Sequence, residues 1–237
     1  MKTFFRHNGL SLVLVALFLS AFAGQIATGM RDHNNDKRVE GEPPLALAEY
    51  LRSGHFLEAT AENWESEFLQ MAMFVILTAF LFQKGSAESK DPDEDEPVDE
   101  DPRLHQGNPA APFPVRKGGL ALRLYSHSLS IAFFLLFFLS FALHAAGGVR
   151  EYNEERASQG QSPVSTAAYA GSSRFWFESL QNWQSEFLSL ACMVVFTIYL
   201  REKGSPESKP VFAAHHDGGE KCETELPPPV ARPQPAA

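Results

Sequence analysis

Few residues of this chain are placed to do chemistry, and two glutamates stand out among them. Glu67 and Glu186 each open an apolar run, where an ionisable side chain is costly unless it is paired or used. By three- and four-residue spacing, Asn63, Ser66, Glu67 and Gln70 share one side of a helix. Asn182, Ser185, Glu186 and Ser189 repeat that stripe. Were the two stripes to face each other, the paired carboxylates would resist double ionisation and could hold a proton or a cation. A structural reading competes and is preferred. Arg31 and Arg150 lie at the outer ends of the preceding apolar runs, at a depth similar to the glutamates. Pairs Arg31–Glu67 and Arg150–Glu186 would neutralise all four charges locally. His144 stands where Gln25 stands in the first run, and a hydrogen bond between helices is expected of it rather than metal ligation. Trp64 and Trp183 read as interfacial anchors. No nucleophile motif, phosphate-binding glycine loop or zinc signature occurs, so no catalytic residue, metal site or cofactor is expected.

Four apolar runs position these residues: Leu10–Gly29, Phe68–Phe82, Leu129–Gly148 and Phe187–Leu200. The first and third match the roughly 20 helical residues that cross hydrocarbon. The second and fourth are shorter, and each extends backwards through its tryptophan segment. A helix from near His55 to Gln83 would be about 43 Å long, so its first turns should project beyond the membrane. Pro43-Pro44 breaks the preceding loop, and a short interfacial helix is expected over Leu45–Ser53, ended by Gly54. Lys84-Gly85 and Lys203-Gly204 suit helix C-termini.

The chain is self-similar. Shifted by 119 residues, 8–90 falls on 127–209 without a gap, with roughly 40% identity, as an internal repeat requires. Asn63-Trp64-Glu65-Ser66-Glu67-Phe68-Leu69 returns as Asn182-Trp183-Gln184-Ser185-Glu186-Phe187-Leu188. The N-terminal run resembles a secretory signal, but its recurrence in mid-chain argues for a retained helix. Ala23/Ala27 and Ala142/Ala146 offer small residues at four-residue spacing for close helix approach. Counting Lys and Arg with the N-terminus inside puts 13 on the inner side and 7 on the outer, so both termini are expected inside. An even number of spans per repeat gives both repeats one orientation.

The expected organisation is a first two-helix repeat over 4–90, an acidic disordered linker over 91–126, a second repeat over 127–209 and a disordered proline-rich tail over 210–237. The formal net charge is -9, the surplus acid lies mainly in the run 91–102 of the linker, and no basic stripe interleaved with aromatics invites nucleic acid. Cys192 and Cys222 cannot form a disulfide framework, and His215-His216 with Cys222 could bind metal only weakly.

The segments Gly41-Glu42-Pro43-Pro44-Leu45, Tyr50-Leu51-Arg52-Ser53-Gly54-His55-Phe56, Glu62 to Gln70 and Gly85-Ser86-Ala87-Glu88-Ser89-Lys90 resemble a family of small bacterial membrane proteins known only as a domain of unknown function. The resemblance covers 4–90 closely and 127–209 more loosely, as two tandem copies, and departs at Gln161-Ser162 and Ala170 to Arg174. It implies a bacterial cytoplasmic membrane and no assigned activity. The expectation is therefore an all-α membrane protein, a four-helix transmembrane bundle of two tandem two-helix repeats with short interfacial helices outside. It is expected to act as a non-enzymatic structural or interaction module whose partners are the lipid bilayer and other membrane proteins or copies of itself. The alternative is a small proton- or cation-coupled transporter using the Glu67/Glu186 stripe.

Overall fold

A computed structural model of the chain describes residues 2–93 and 96–215, and among these every regular element is helical. The long helices are α1 (Lys2–Val39), α3 (Gly54–Phe80), α6 (Ser128–Ser158) and α8 (Ser173–Tyr199). Short ones are α2 (Leu47–Tyr50), α4 (Phe113–Lys117), α5 (Gly119–Ser126) and α7 (Thr166–Ala170). Two helices, α1 and α6, are long and apolar enough to cross a membrane. In the most apolar stretch of α1 no residue is buried, and in that of α6 only 22% are. A core helix of a water-soluble protein would be largely buried, so this exposure is what a lipid-facing helix shows.

Helix α1 does not stop at Gly29, where the apolar run ends, but continues to Val39. Nothing at Gly29 breaks it. The stop comes at Gly41, with φ 79°, where Glu42 N donates to Lys37 O (2.7 Å) and Gly41 N to Arg38 O (3.2 Å). This is a Schellman cap, and Lys37 and Arg38 meet the negative end of the helix dipole. Asn34 then holds the returning chain. Its Nδ2 donates to Leu45 O (2.9 Å), and Leu45 N donates to its Oδ1 (2.7 Å). The same devices occur 119 residues on. Gln161 N donates to Arg156 O (2.8 Å), Gly160 has φ 69°, and Asn153 exchanges two bonds with Val164 (3.0 and 2.8 Å).

The expected outer helix is shorter than Leu45–Ser53, and Gly54 opens α3 instead of ending α2. A Cβ on Gly54 would stand 2.5 Å from Glu151 N, and one on Gly147 would stand 2.5 Å from Glu58 N. The close approach of α3 to α6 thus uses Gly54 and Gly147, where the alanine pairs were expected to serve. Ala23, Ala27 and Ala142 are exposed. The acidic linker was expected to lack structure. Its described residues instead form 3-10 turns at Pro97–Asp99 and Pro102–His105 and helices α4 and α5, and Lys90 Nζ reaches Asp99 Oδ1 at 2.5 Å. The tail beyond residue 215, with His216 and Cys222, lies outside the described residues.

The chain divides into two compact units. The first comprises Met1–Glu65 and Phe138–Leu180. Its apolar core is Ala145, Val149, Tyr169 and Phe175, with Phe141 edge-on to Phe175 at 5.1 Å. The second comprises Ser66–Phe137 and Gln181–Ala237. There Gln70 Nε2 donates to Glu186 O (2.9 Å) and Ser189 Oγ (3.0 Å), and the Ser86 and Thr197 hydroxyls bond at 2.9 Å.

Candidate functional site

Buried charge collects in the first unit. Helix α3 supplies Glu58 and Glu65, seven residues apart and so on one face. Helix α6 supplies His144, α7 supplies Tyr169, and the first turns of α8 supply Arg174 and Glu178. His144, Glu65 and Tyr169 have no exposed surface at all, and Glu58 retains 8%. Two glycines make room. Gly147 admits the α3 backbone beside Glu58, and Gly148 admits the Tyr169 ring, whose hydroxyl would stand 2.3 Å from any Cβ there.

His144 Nδ1 lies 2.8 Å from Glu65 Oε2. This is the hydrogen bond between helices expected of His144. Since a carboxylate only accepts, the hydrogen sits on Nδ1. The other ring nitrogen, Nε2, is buried without a hydrogen-bond partner and stands 3.6 Å from Glu178 Oε2. Phe175 covers the ring, with centroids 4.6 Å apart. The Tyr169 hydroxyl is 2.6 Å from Glu178 Oε2 and 3.0 Å from Glu58 Oε1. It has one hydrogen, so it satisfies one carboxylate at a time. Arg174 Nε donates to Glu178 Oε1 (3.0 Å), and its guanidinium also pairs with Glu155.

The two carboxyls on Tyr169 are pushed in opposite directions. Burial and then the like charge of Glu178 raise Glu58 to about 7. Burial alone would raise Glu178 too, but His144, Tyr169 and Arg174 outweigh it and hold that carboxylate below its usual value. Glu58, His144 and Glu178 place ligand-type atoms within 4.8 Å of one another, so the set has the donor chemistry of a cation site.

Beside the cluster lies an acidic cleft of about 700 Å³ lined by His33, Lys37, His55, Glu151, Glu154 and Arg174 among others. Arg174 belongs to both features. The His33 and His55 rings lie 4.7 Å apart, tilted by 32°, and Tyr50 Oη is 3.4 Å from His55 Nδ1.

The positions expected to carry function fall elsewhere. Arg31 and Arg150 are exposed and belong to the first unit, whereas Glu67, exposed, and Glu186, half-buried, belong to the second. Neither expected ion pair is therefore part of either unit's own packing: α1 runs ten residues past Gly29 and α6 ten past Gly148 before the chain turns back, which shifts the register of each returning helix. In the second unit Gln70 reaches the opposite stripe at Glu186 O and Ser189 Oγ, and the Glu67 and Glu186 carboxylates lie near enough for their like charges to act on each other. Asn63 Nδ2 donates to Ala59 O (2.7 Å) and Ser185 Oγ to Asn182 O (2.8 Å), both within their own helices, and Ser66 is buried. Trp64 lies 6.4 Å from Phe18, and Trp183 lies 6.1 Å from Phe137.

Searching for repeated residues misses the cluster, because it is made from positions where the halves differ. At the 119-residue shift, Glu58 answers to Phe177, Glu65 to Gln184, His144 to Gln25, Arg174 to His55 and Glu178 to Ala59. Only Tyr169 has an identical counterpart, Tyr50. The usable signal was the opposite one: ionisable residues that break the self-similarity.

Fold and site together define an all-helical protein with two helices able to span a membrane and a buried His–carboxylate cluster. The chain belongs to the family described as Domain of unknown function (DUF6766), whose model matches residues 1–220. The match is one continuous domain over nearly all the described length, where two tandem copies of a shorter one were expected. No curated protein and no solved structure matches the chain.

Proposed function

We propose that the protein is a multi-pass membrane protein that binds a cation at the cluster of Glu58, Glu65, His144 and Glu178. The observation that carries this reading is Nε2 of His144, which makes no hydrogen bond. It is fully buried, its partner nitrogen is held by Glu65, and it faces carboxylates. A buried polar atom without a partner costs on the order of 1–3 kcal/mol, which a bound cation would recover. Ionisable groups buried in a membrane protein mark ion pathways or binding sites by default. Binding, not catalysis, is the proposed role.

Four spans in a duplicated arrangement remain part of the proposal. Two observations support it. Helices α3 and α8 expose large apolar side chains late in their course, such as Phe80 (73%) and Leu188 (60%). The contacts Asn34–Leu45, Phe22–Phe56 and Phe18–Trp64 have counterparts at Asn153–Val164, Phe141–Phe175 and Phe137–Trp183. With both termini inside, the cluster would face the outer side of a bacterial cytoplasmic membrane. Transport remains the natural extension, with the cluster taking the place given above to Glu67 and Glu186.

Thermal unfolding of the purified protein, after chelation and with single cations restored, tests the reading. A cation present at about 100 times its Kd stabilises by about 2.7 kcal/mol. The expected result is saturable stabilisation by at least one cation, lost in Glu178→Gln. Equal melting in all cations would refute cation binding.

A further inference from the structure

We infer that Glu58, His144 and Glu178 form a site for one divalent transition-metal ion of the zinc type. This rests on the cation-binding reading and names the cation's class and its ligand atoms. Four features of the cluster converge on it.

First, the imidazole is set as a metal ligand. Glu65 accepts from Nδ1–H at 2.8 Å, so Nε2 is the nitrogen that turns its lone pair to an ion once it has given up its proton to solvent. A carboxylate behind the far nitrogen is the arrangement that orients metal-bound histidines and raises their basicity. Second, Nε2 makes no hydrogen bond, although the ring has no exposed surface. Third, Arg174 anchors Glu178 Oε1 at 3.0 Å, while Oε2, which accepts from the Tyr169 hydroxyl at 2.6 Å, stands 3.6 Å from Nε2. Fourth, the charges balance: the carboxylates of Glu58, Glu65 and Glu178 against the Arg174 guanidinium, with a neutral imidazole, leave two negative charges that a dication cancels.

The donor set selects the class of ion. Calcium and magnesium take oxygen ligands, six or more for calcium, and magnesium keeps several waters. One imidazole nitrogen with two carboxylates suits zinc and its neighbours, and three protein ligands leave a position open for water. Ligand atoms within 4.8 Å of one another must close to about 3.4 Å around an ion held at about 2.1 Å from each. Rotation of the two glutamate side chains supplies that change. Tyr169 can then donate to a carboxylate oxygen that does not ligate. The acidic cleft bordered by Arg174 would concentrate cations beside the site.

The test uses the full chain in detergent after chelation, with Zn2+ in equilibrium dialysis and Co2+ as a visible-absorption probe. The expected result is one Zn2+ per chain and a Co2+ spectrum of four or five ligands without sulfur. Both should persist when His215, His216 and Cys222 are replaced together by alanine. His144→Gln should weaken Zn2+ binding by about 100-fold or more. Glu65→Gln, a positioning change, should weaken it by about 10–100-fold while the Co2+ bands remain. X-ray absorption of zinc on the unaltered protein, showing nitrogen and oxygen ligands only, covers the case in which a variant fails to fold. Three results would overturn the inference: no saturable binding, binding lost with the tail substitutions, or affinity untouched by His144→Gln. Stabilisation by Na+ or Ca2+ alone, still dependent on Glu178, would overturn the metal class and leave the cation reading standing.

Discussion

Replacing Gly147 by alanine tests how the cluster is assembled. In an open helix the change is favourable, because glycine is about 1 kcal/mol worse than alanine in a helix interior. At Gly147 the new Cβ would stand 2.5 Å from Glu58 N, and 3.0 Å from both the Leu57 carbonyl carbon and its Cβ. Two of those three atoms are backbone, so a rotamer change cannot relieve the contact. Helix α3 would have to retreat by about 1 Å to restore a normal separation near 3.5 Å. Overpacking of this kind costs about 1–3 kcal/mol, and three atoms at 3.0 Å or less, two of them backbone, place it in the upper half of that range, so after the propensity gain the net expectation is destabilisation of about 1–2 kcal/mol. Glu58 moves with the α3 backbone, so cation affinity should fall with stability. Gly24→Ala is the control, since a Cβ there meets nothing within 4 Å. Thermal unfolding of both variants, with cation binding measured alongside, decides the matter. A Gly147→Ala protein as stable as the unaltered one, with full affinity, would refute the claim that this approach builds the site.

Further expectations follow from neighbouring groups. Tyr169→Phe removes a buried hydroxyl between two carboxylates and should cost about 1–3 kcal/mol in chemical or thermal unfolding. Tyr50→Phe, whose hydroxyl makes a longer contact of 3.4 Å to His55 Nδ1, should cost less, and equal losses would argue against the cluster's importance. His55 has its pKa lowered by burial, against the opposing pull of Asp32 and Asp36, with the His33 ring and the Tyr50 hydroxyl beside it. A histidine whose folded value lies below its unfolded one favours the folded state above 6.5, and that favour is lost as pH falls below 6.5. Stability should therefore decline on acidification through that window and decline less in His55→Asn, as melting curves across pH would record. Reporter fusions at Glu58 and Ala157 should read outside, and fusions at Val98 and after Lys209 inside. Inverted signals would overturn the charge-based orientation.

The helices were largely legible from residue order, because each depends on local patterning. The uncharged stretches Leu10–Gly29 and Leu129–Gly148 lie within α1 and α6, and the proline pair at 43–44 falls in the break before α2. Helix ends were less legible. Gly54 looked like a stop because glycine often caps helices, yet its place is set by Glu151 and Gly147 across a helix contact. The linker looked structureless because acidic, proline-rich composition says nothing of pairs such as Lys90–Asp99.

The cluster was mostly illegible for a related reason. His144 drew notice as a polar residue in an apolar run, but its partner Glu65 lies 79 residues away in sequence. Glu58 and Tyr169 are 111 apart. Helical periodicity reaches three, four or seven residues and carries no information about which faces meet. Residue order by itself determined that this chain is helical, that two of its helices suit lipid, and where its charges lie along them. Tertiary structure alone decided which charges share one buried volume, because close approach at Gly147 and Gly148 selects the facing side chains, and burial then shifts their protonation.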